Sequence, residues 1–168
     1  MKKGNTEGSR LSTDNAYIAG FLDGDGSIML QIKKRSDCKR GFRFMATICF
    51  YQDSRHDNPL SWIRQKIGVG YVSKRNDGMT ELRINGFESV RAFLSDLLPY
   101  IRFKKLQVEA LIAACNILEK GVKALSDEDL RVLVGLILII QRENYVTRNK
   151  KTEEELLRVL NLTPYRLE

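Results

Sequence analysis

A chain of 168 residues, 43% apolar and carrying a formal net charge of +7, fits one domain large enough to bury about 70% of the surface its unfolded form exposes. The charge favours a polyanionic partner, and only its placement separates nucleic acid from an anionic membrane surface. Cys38, Cys49 and Cys115 form no C-x-x-C pair and His56 is the sole histidine, so neither a zinc site nor a disulfide framework is expected.

Residues 1–12 are polar and lack apolar periodicity, so they read as a flexible tail before a single domain over 13–168. Asp14 or Asn15 then caps a helix through Tyr17-Ile18-Ala19-Gly20-Phe21-Leu22-Asp23, and Gly24 and Gly26 turn the chain out of it. Ala16, Ala19 and Gly20 let another backbone come close, while Asp23 and Asp25 sit at the end of the helix, aimed at a metal. An EF-hand loop starting at Asp23 is excluded, because Ile28 and Lys34 stand where that loop needs glycine and glutamate.

Ser27 to Arg35 alternates, with Ile28, Leu30 and Ile32 on one side, and a basic loop, Ser36 to Gly41, leads to a second alternating run in which Phe42, Phe44, Ala46, Ile48 and Phe50 oppose Arg43, Met45, Thr47, Cys49 and Tyr51. The two runs make a hairpin. Asn58-Pro59 reads as the N-cap and first residue of a helix that Gly68 ends, and Asn76-Asp77-Gly78 joins Tyr71–Arg75 to Met79–Ile84 in a second hairpin. Helical patterns follow over Phe87–Leu98, stopped by Pro99, then Leu106–Glu119, Asp127–Val146 with Ser126 as its cap, and Glu153–Leu160. The layout is α+β, with helices on one face of an antiparallel sheet. The apolar run Val132–Ile140 is far short of the ~20 residues that span a bilayer, and Met1–Arg10 has no signal-peptide core. The expectation is a soluble intracellular protein with no membrane partner, cytoplasmic in a prokaryote or within an organelle that encodes it.

Because the apolar side of each strand must meet the helices, Gln31, Lys33, Arg35, Arg43, Thr47, Tyr71, Ser73, Arg75, Glu81 and Arg83 fall on the open side. Arginine and glutamine pair bidentately with base edges, and lysine meets phosphate, so this face suits double-stranded DNA. Glu81 either accepts a bond from cytosine or neutralises Arg83. A membrane surface fits less well, since the basic residues follow strand alternation and not one helix face.

Written as Ile-Ala-Gly-Phe-Leu-Asp-Gly-Asp-Gly-Ser, residues 18–27 resemble the motif of the LAGLIDADG homing endonucleases. The resemblance is to the single-motif, intron-encoded type, and it extends through Gly68-Val69-Gly70-Tyr71-Val72 and Leu98-Pro99-Tyr100-Ile101-Arg102-Phe103-Lys104-Lys105. It implies an αββαββα fold with a DNA-binding saddle, and cleavage of both strands across the minor groove to leave 3′ overhangs. Hydrolysing a phosphodiester needs charge stabilisation of the kind Mg²⁺ gives through oxygen ligands, for which Asp25 and the backbone carbonyl of Gly24 are the candidates. By the same resemblance Gln52 lies near the scissile phosphate and Lys104 organises active-site water. Where an arginine often completes the basic pocket stands His56, preceded by Arg55, and either can serve.

A second motif is missing: Leu133-Val134-Gly135-Leu136-Ile137 has no acidic end and too little chain after it. The second motif must come from another copy, so a homodimer packed through Ala16, Ala19 and Gly20 is expected on a nearly palindromic site. The rival reading is a non-cleaving nucleic-acid-binding protein of the same fold, either a maturase acting on intron RNA or a DNA-binding regulator.

Overall fold

The computed structural model describes residues 6–144 and 149–163. Its elements follow the expected order: α1 (Thr6–Asp25), β1 (Gly26–Lys34), β2 (Phe42–Asp53), a 3-10 turn (Ser54–His56), α2 (Asn58–Ile67), β3 (Tyr71–Lys74), β4 (Met79–Asn85), α3 (Phe87–Leu97), a second 3-10 turn (Leu98–Tyr100), α4 (Lys105–Leu118), a third (Val122–Ala124), α5 (Asp127–Glu143) and α6 (Glu153–Val159). The strands form one antiparallel sheet in the order β1-β2-β4-β3. The helices pack against one side of it, and Phe44, Phe50, Ile28, Ile48, Leu82 and Ile84 point from the strands into their shared core.

Local chemistry explains most boundaries. No loop separates α1 from β1: the chain reverses at Gly26, where a Cβ would lie 2.5 Å from Leu22 Cδ1 and 2.7 Å from the Leu22 Cα and carbonyl oxygen, so only glycine lets the strand leave the helix there. Gly68 ends α2 at φ +73°, its N–H donating to the Arg64 carbonyl. Two residues on, Gly70 brings its Cα against β4, where a side chain would meet the Arg83 carbonyl at 2.7 Å. Ser126 and Asp129 cap α5 reciprocally, and Thr152 and Glu155 do the same for α6.

The sequence reading is corrected at three boundaries. α1 reaches back to Thr6, inside the segment read as a tail, and Asp14 does not cap it but pairs with Lys66 of α2 at 2.8 Å. Ser12 and Tyr100 share a hydroxyl hydrogen bond at 3.0 Å, so tertiary contacts carry the helix through residues whose own composition is polar. Residues 1–5 lie outside the described residues. The N-cap position of α2 is Asp57, not Asn58; the Asp57 carboxylate makes no capping bond and instead accepts from Thr80 Oγ1 at 2.9 Å. α5 stops at Glu143, and Val146 lies outside the described residues.

Leu133, Val134 and Ile137 are buried core residues of α5, which accounts for the motif-like run there. Among the described residues no helix is long and apolar enough to cross a membrane. The thiols of Cys49 and Cys115 are buried, and desolvation raises both, Cys115 to about 12.

Candidate catalytic seam and nucleic-acid interface

The end of α1 and the start of α4 cap one another. The buried Asp23 carboxylate accepts three backbone N–H bonds, from Arg102 at 2.7 Å, Phe103 at 3.2 Å and Lys104 at 3.0 Å, supplying partners to the amides that lead into α4. In return, Lys104 Nζ donates to the carbonyls of Leu22 and Asp23, each at 2.7 Å, and to that of Gly24 at 3.4 Å. An ammonium is thus set on the negative end of the motif helix. Burial lowers the affinity of Lys104 for its proton, while the Asp23 and Asp25 carboxylates oppose that shift. Asp23 is therefore a structural anchor joining segments about 80 positions apart, and Asp25 is left exposed, with no hydrogen bond or ion pair among the described residues.

Gln52 lies two residues past Phe50, the partner of Gly26 in the last pair of the β1–β2 ladder, so the register puts it at the same end of the sheet as Asp25. Its side-chain carbonyl accepts the Asp53 N–H at 2.9 Å. The two candidates for the basic pocket differ. Arg55 is folded back in a two-pronged contact with Asp53, at 3.0 and 2.7 Å, whereas His56 is exposed and has no such partner. Asp57, next to His56, is taken by Thr80, which also bonds Ser54 at 2.8 Å, so the 3-10 turn is fastened to β4 with His56 left outward.

The open face is assembled as the alternation requires. Ser27, Cys49, Arg83 and Tyr71 fall in one cross-strand row, and Tyr51, Glu81 and Ser73 in the next. Further along, Gln31 pairs with Met45, and Lys33 stands directly opposite Arg43. Two like charges facing each other across a ladder are destabilising, and among the described residues neither has an ion pair within 4 Å, although the field of Arg43 reaches Asp37 in the adjoining loop. Elsewhere on the face the arginines are held: Arg83 on Glu81 at 3.2 Å, Arg75 on Asp77 at 2.8 Å and over the Tyr51 ring at 5.8 Å, and Arg35 on Asp37 at 2.7 Å.

Two residues of this face depart from expectation. Thr47 is 2% exposed, its hydroxyl donating to Asn85 Oδ1 at 2.8 Å, so it supports the sheet and presents nothing to a ligand. Glu81 is 8% exposed and lies between Arg83 and Arg75, the latter at 3.9 Å, which leaves the neutralising role and not contact with cytosine. Arg35 and Arg75 lie outside the strands expected to carry them, one residue past the ends of β1 and β3.

On α1, Ala16, Gly20 and Gly24 are exposed, and a Cβ built on either glycine would meet nothing within 4 Å. Ala19 is corrected: it is fully buried in the chain's own core and cannot serve a partner helix. Asp25 and the Gly24 carbonyl are hard oxygen donors of the kind Mg²⁺ takes, but the described residues hold no group of three His, Cys, Asp or Glu side chains that would bind a metal unaided.

A helix that exposes Ala16, Gly20 and Gly24 and ends in an exposed aspartate, joined directly to an antiparallel sheet with one basic open face, is the α+β arrangement expected of the motif. The chain belongs to the LAGLIDADG endonuclease family, whose model matches residues 18–111. It is 31% identical to the DNA endonuclease I-CvuI of Chlorella vulgaris over 136 residues, 81% of each chain, and 30% identical to the DNA endonuclease I-CreI of Chlamydomonas reinhardtii over 145 residues, 86% of this chain and 87% of that one. The solved structure of I-CvuI with its target DNA and Ca superposes with a TM-score of 0.73 at 28% identity, covering 93% of this chain and 99% of that one. The archaeal intron-encoded homing endonuclease I-Vdi141I, solved with DNA, shares the fold at a TM-score of 0.77 and 22% identity, covering 89% and 96%.

Proposed function

We propose that this protein is a site-specific DNA endonuclease that works as a homodimer with Mg²⁺, cutting both strands across the minor groove and leaving 3′ overhangs. The observation that carries the reading is the exposed, unpartnered Asp25 at the end of the motif helix, one residue from the Gly24 carbonyl that Lys104 approaches and directly before the strand that sets Lys33 opposite Arg43. Two motif helices meeting along Ala16, Gly20 and Gly24 would bring two Asp25 side chains together under paired sheets, and a twofold dimer then reads a nearly palindromic site.

In this arrangement Asp25 and the Gly24 carbonyl hold the cation, which when bound stabilises charge on the attacked phosphate and the leaving oxygen. Lys104 keeps its two short bonds to the Leu22 and Asp23 carbonyls, and its third N–H, at 3.4 Å from the Gly24 carbonyl and on the exposed side, is the one that orients water. Gln52 lies beside the phosphate, and His56, unengaged where Arg55 is tied down, completes the basic pocket. Gln31, Lys33, Arg43, Tyr71, Ser73, Arg75 and Arg83 contact DNA, the lysine on phosphate and the arginines on base edges.

Digesting a randomised duplex library in Mg²⁺ and sequencing the ends tests this directly. The expected result is cut duplexes sharing a pseudo-palindromic site with 3′ extensions. Duplexes retained by the protein but never cut would favour a non-cleaving binder of the same fold, and preferential retention of structured RNA would favour a maturase.

A further inference from the structure

The sheet is not equally broad along its length. β4 pairs with β2 only from Thr47 onward, so Phe42–Ala46 of β2 and Leu30–Lys34 of β1 form a two-stranded ribbon that carries Gln31, Lys33 and Arg43 away from the seam. A lone two-stranded ribbon is marginally stable in water, and its aim depends on what fastens it. Its helix-facing side chains, Ile32, Phe42 and Phe44, are buried, but beside them a cleft of about 270 Å³ opens between β1 and the helices α5 and α6.

At its tip the loop is closed by Arg35 N–H to the Gly41 carbonyl at 2.9 Å and Gly41 N–H to the Cys38 carbonyl at 2.8 Å. The Arg40 side chain does not join the basic face. It turns back and its Nη2 donates to the carbonyls of Lys123 and Leu125, at 3.3 and 3.0 Å, in the connection between α4 and α5. Leu125 is 3% exposed, so the anchor is set in the rigid helical layer. Two backbone carbonyls on Nη2 hold the guanidinium against the α4–α5 connection and away from the row of Lys33 and Arg43.

We propose that Arg40 is a positioning residue for specificity: it fixes the angle of the ribbon and so determines how sharply Gln31, Lys33 and Arg43 discriminate the outer base pairs of each half-site. This rests on the reading of the open face as a DNA-binding surface. In a basic loop the composition alone would count Arg40 with Lys39 as a phosphate contact, and the geometry assigns the two to different work.

The test compares wild type, Arg40→Met, which keeps the stem and loses the two bonds, and Lys39→Ala. Hydrogen exchange of the free dimer, without DNA, should rise about tenfold over residues 31–45 in Arg40→Met, with no change over residues 79–85 and none anywhere in Lys39→Ala. Binding to single-base variants at several salt concentrations should show Arg40→Met losing about three- to tenfold discrimination at the outer positions only, with the salt dependence unchanged. Unchanged exchange, or a uniform loss of affinity with a shallower salt dependence, would overturn the proposal, the latter by making Arg40 a phosphate contact. A wild-type protein without base preference at any position would overturn the DNA reading itself, a failure distinct from that of the tether, which the exchange rates report without DNA.

Discussion

The two ends of the sheet solve different problems. At the seam, four strands, the Gly26 reversal and the mutual capping of Asp23 and Lys104 lock the backbone around one exposed carboxylate, and the arginines there are held by Glu81 and Asp77. At the far end, two strands carry Lys33 opposite Arg43 with no ion pair within 4 Å of either among the described residues, and the helical layer holds the tip through Arg40. Catalysis needs donors fixed to within fractions of an ångström, whereas contact with a long polyanion tolerates give and gains from unpaired charge. Hydrogen-bonded constraint is concentrated at the seam, and basic charge without a close ion pair at the far end.

The contrast is broken most severely by Asp25→Asn. The substitution preserves size but removes the charge proposed to hold the cation, so cleavage should fall on the order of a thousandfold or more while binding to the same duplex persists, as gel shift and single-turnover cleavage would report. Normal cutting by the variant would take the metal away from Asp25.

Gly26→Ala comes next. Its Cβ would overlap the Leu22 backbone at 2.7 Å, where nothing flexible can yield. Overpacking of this kind costs about 3 kcal/mol, a fall in Tm of roughly 6–12 °C for a domain of this size, measurable by thermal denaturation. Gly24→Ala, with nothing within 4 Å, should leave the fold of the monomer unchanged.

Gly20→Leu separates fold from assembly. The chain has space for the new side chain, so the circular dichroism spectrum should match wild type, while a close helix–helix contact would lose about 1–3 kcal/mol and sedimentation would shift toward monomer. A fully dimeric variant with unchanged activity would place the interface elsewhere.

The smallest effect compares the two kinds of basic residue. Lys33→Ala should lower the steepness of the salt dependence by about one counterion per subunit and weaken binding to all sequences alike. Arg75→Ala, removing a guanidinium already oriented by Asp77 and Tyr51, should instead cost about 1–3 kcal/mol at particular base pairs, read from single-base variants. Equal behaviour of the two would erase the distinction between loose and oriented charge.

Much of this molecule is written locally. The period-two alternation put Lys33, Arg43, Tyr71 and Arg83 on one face because strand side chains have no other choice, and the register bears this out residue by residue. Asp25, Gly26 and Gly68 are legible because a helix end and a left-handed turn impose their requirements within a few residues. Burial on the open face was not legible: Thr47 and Glu81 alternate correctly yet are covered, since exposure there depends on the neighbouring strands. Nor could any local pattern place Ala19 in the core, give three amides of the 102–104 turn to Asp23, or turn Arg40 toward the α4–α5 connection. Those assignments join residues about 80 positions apart, and only folding decides them, because a backbone N–H or carbonyl left without a local partner takes whichever side chain the packed chain brings within reach.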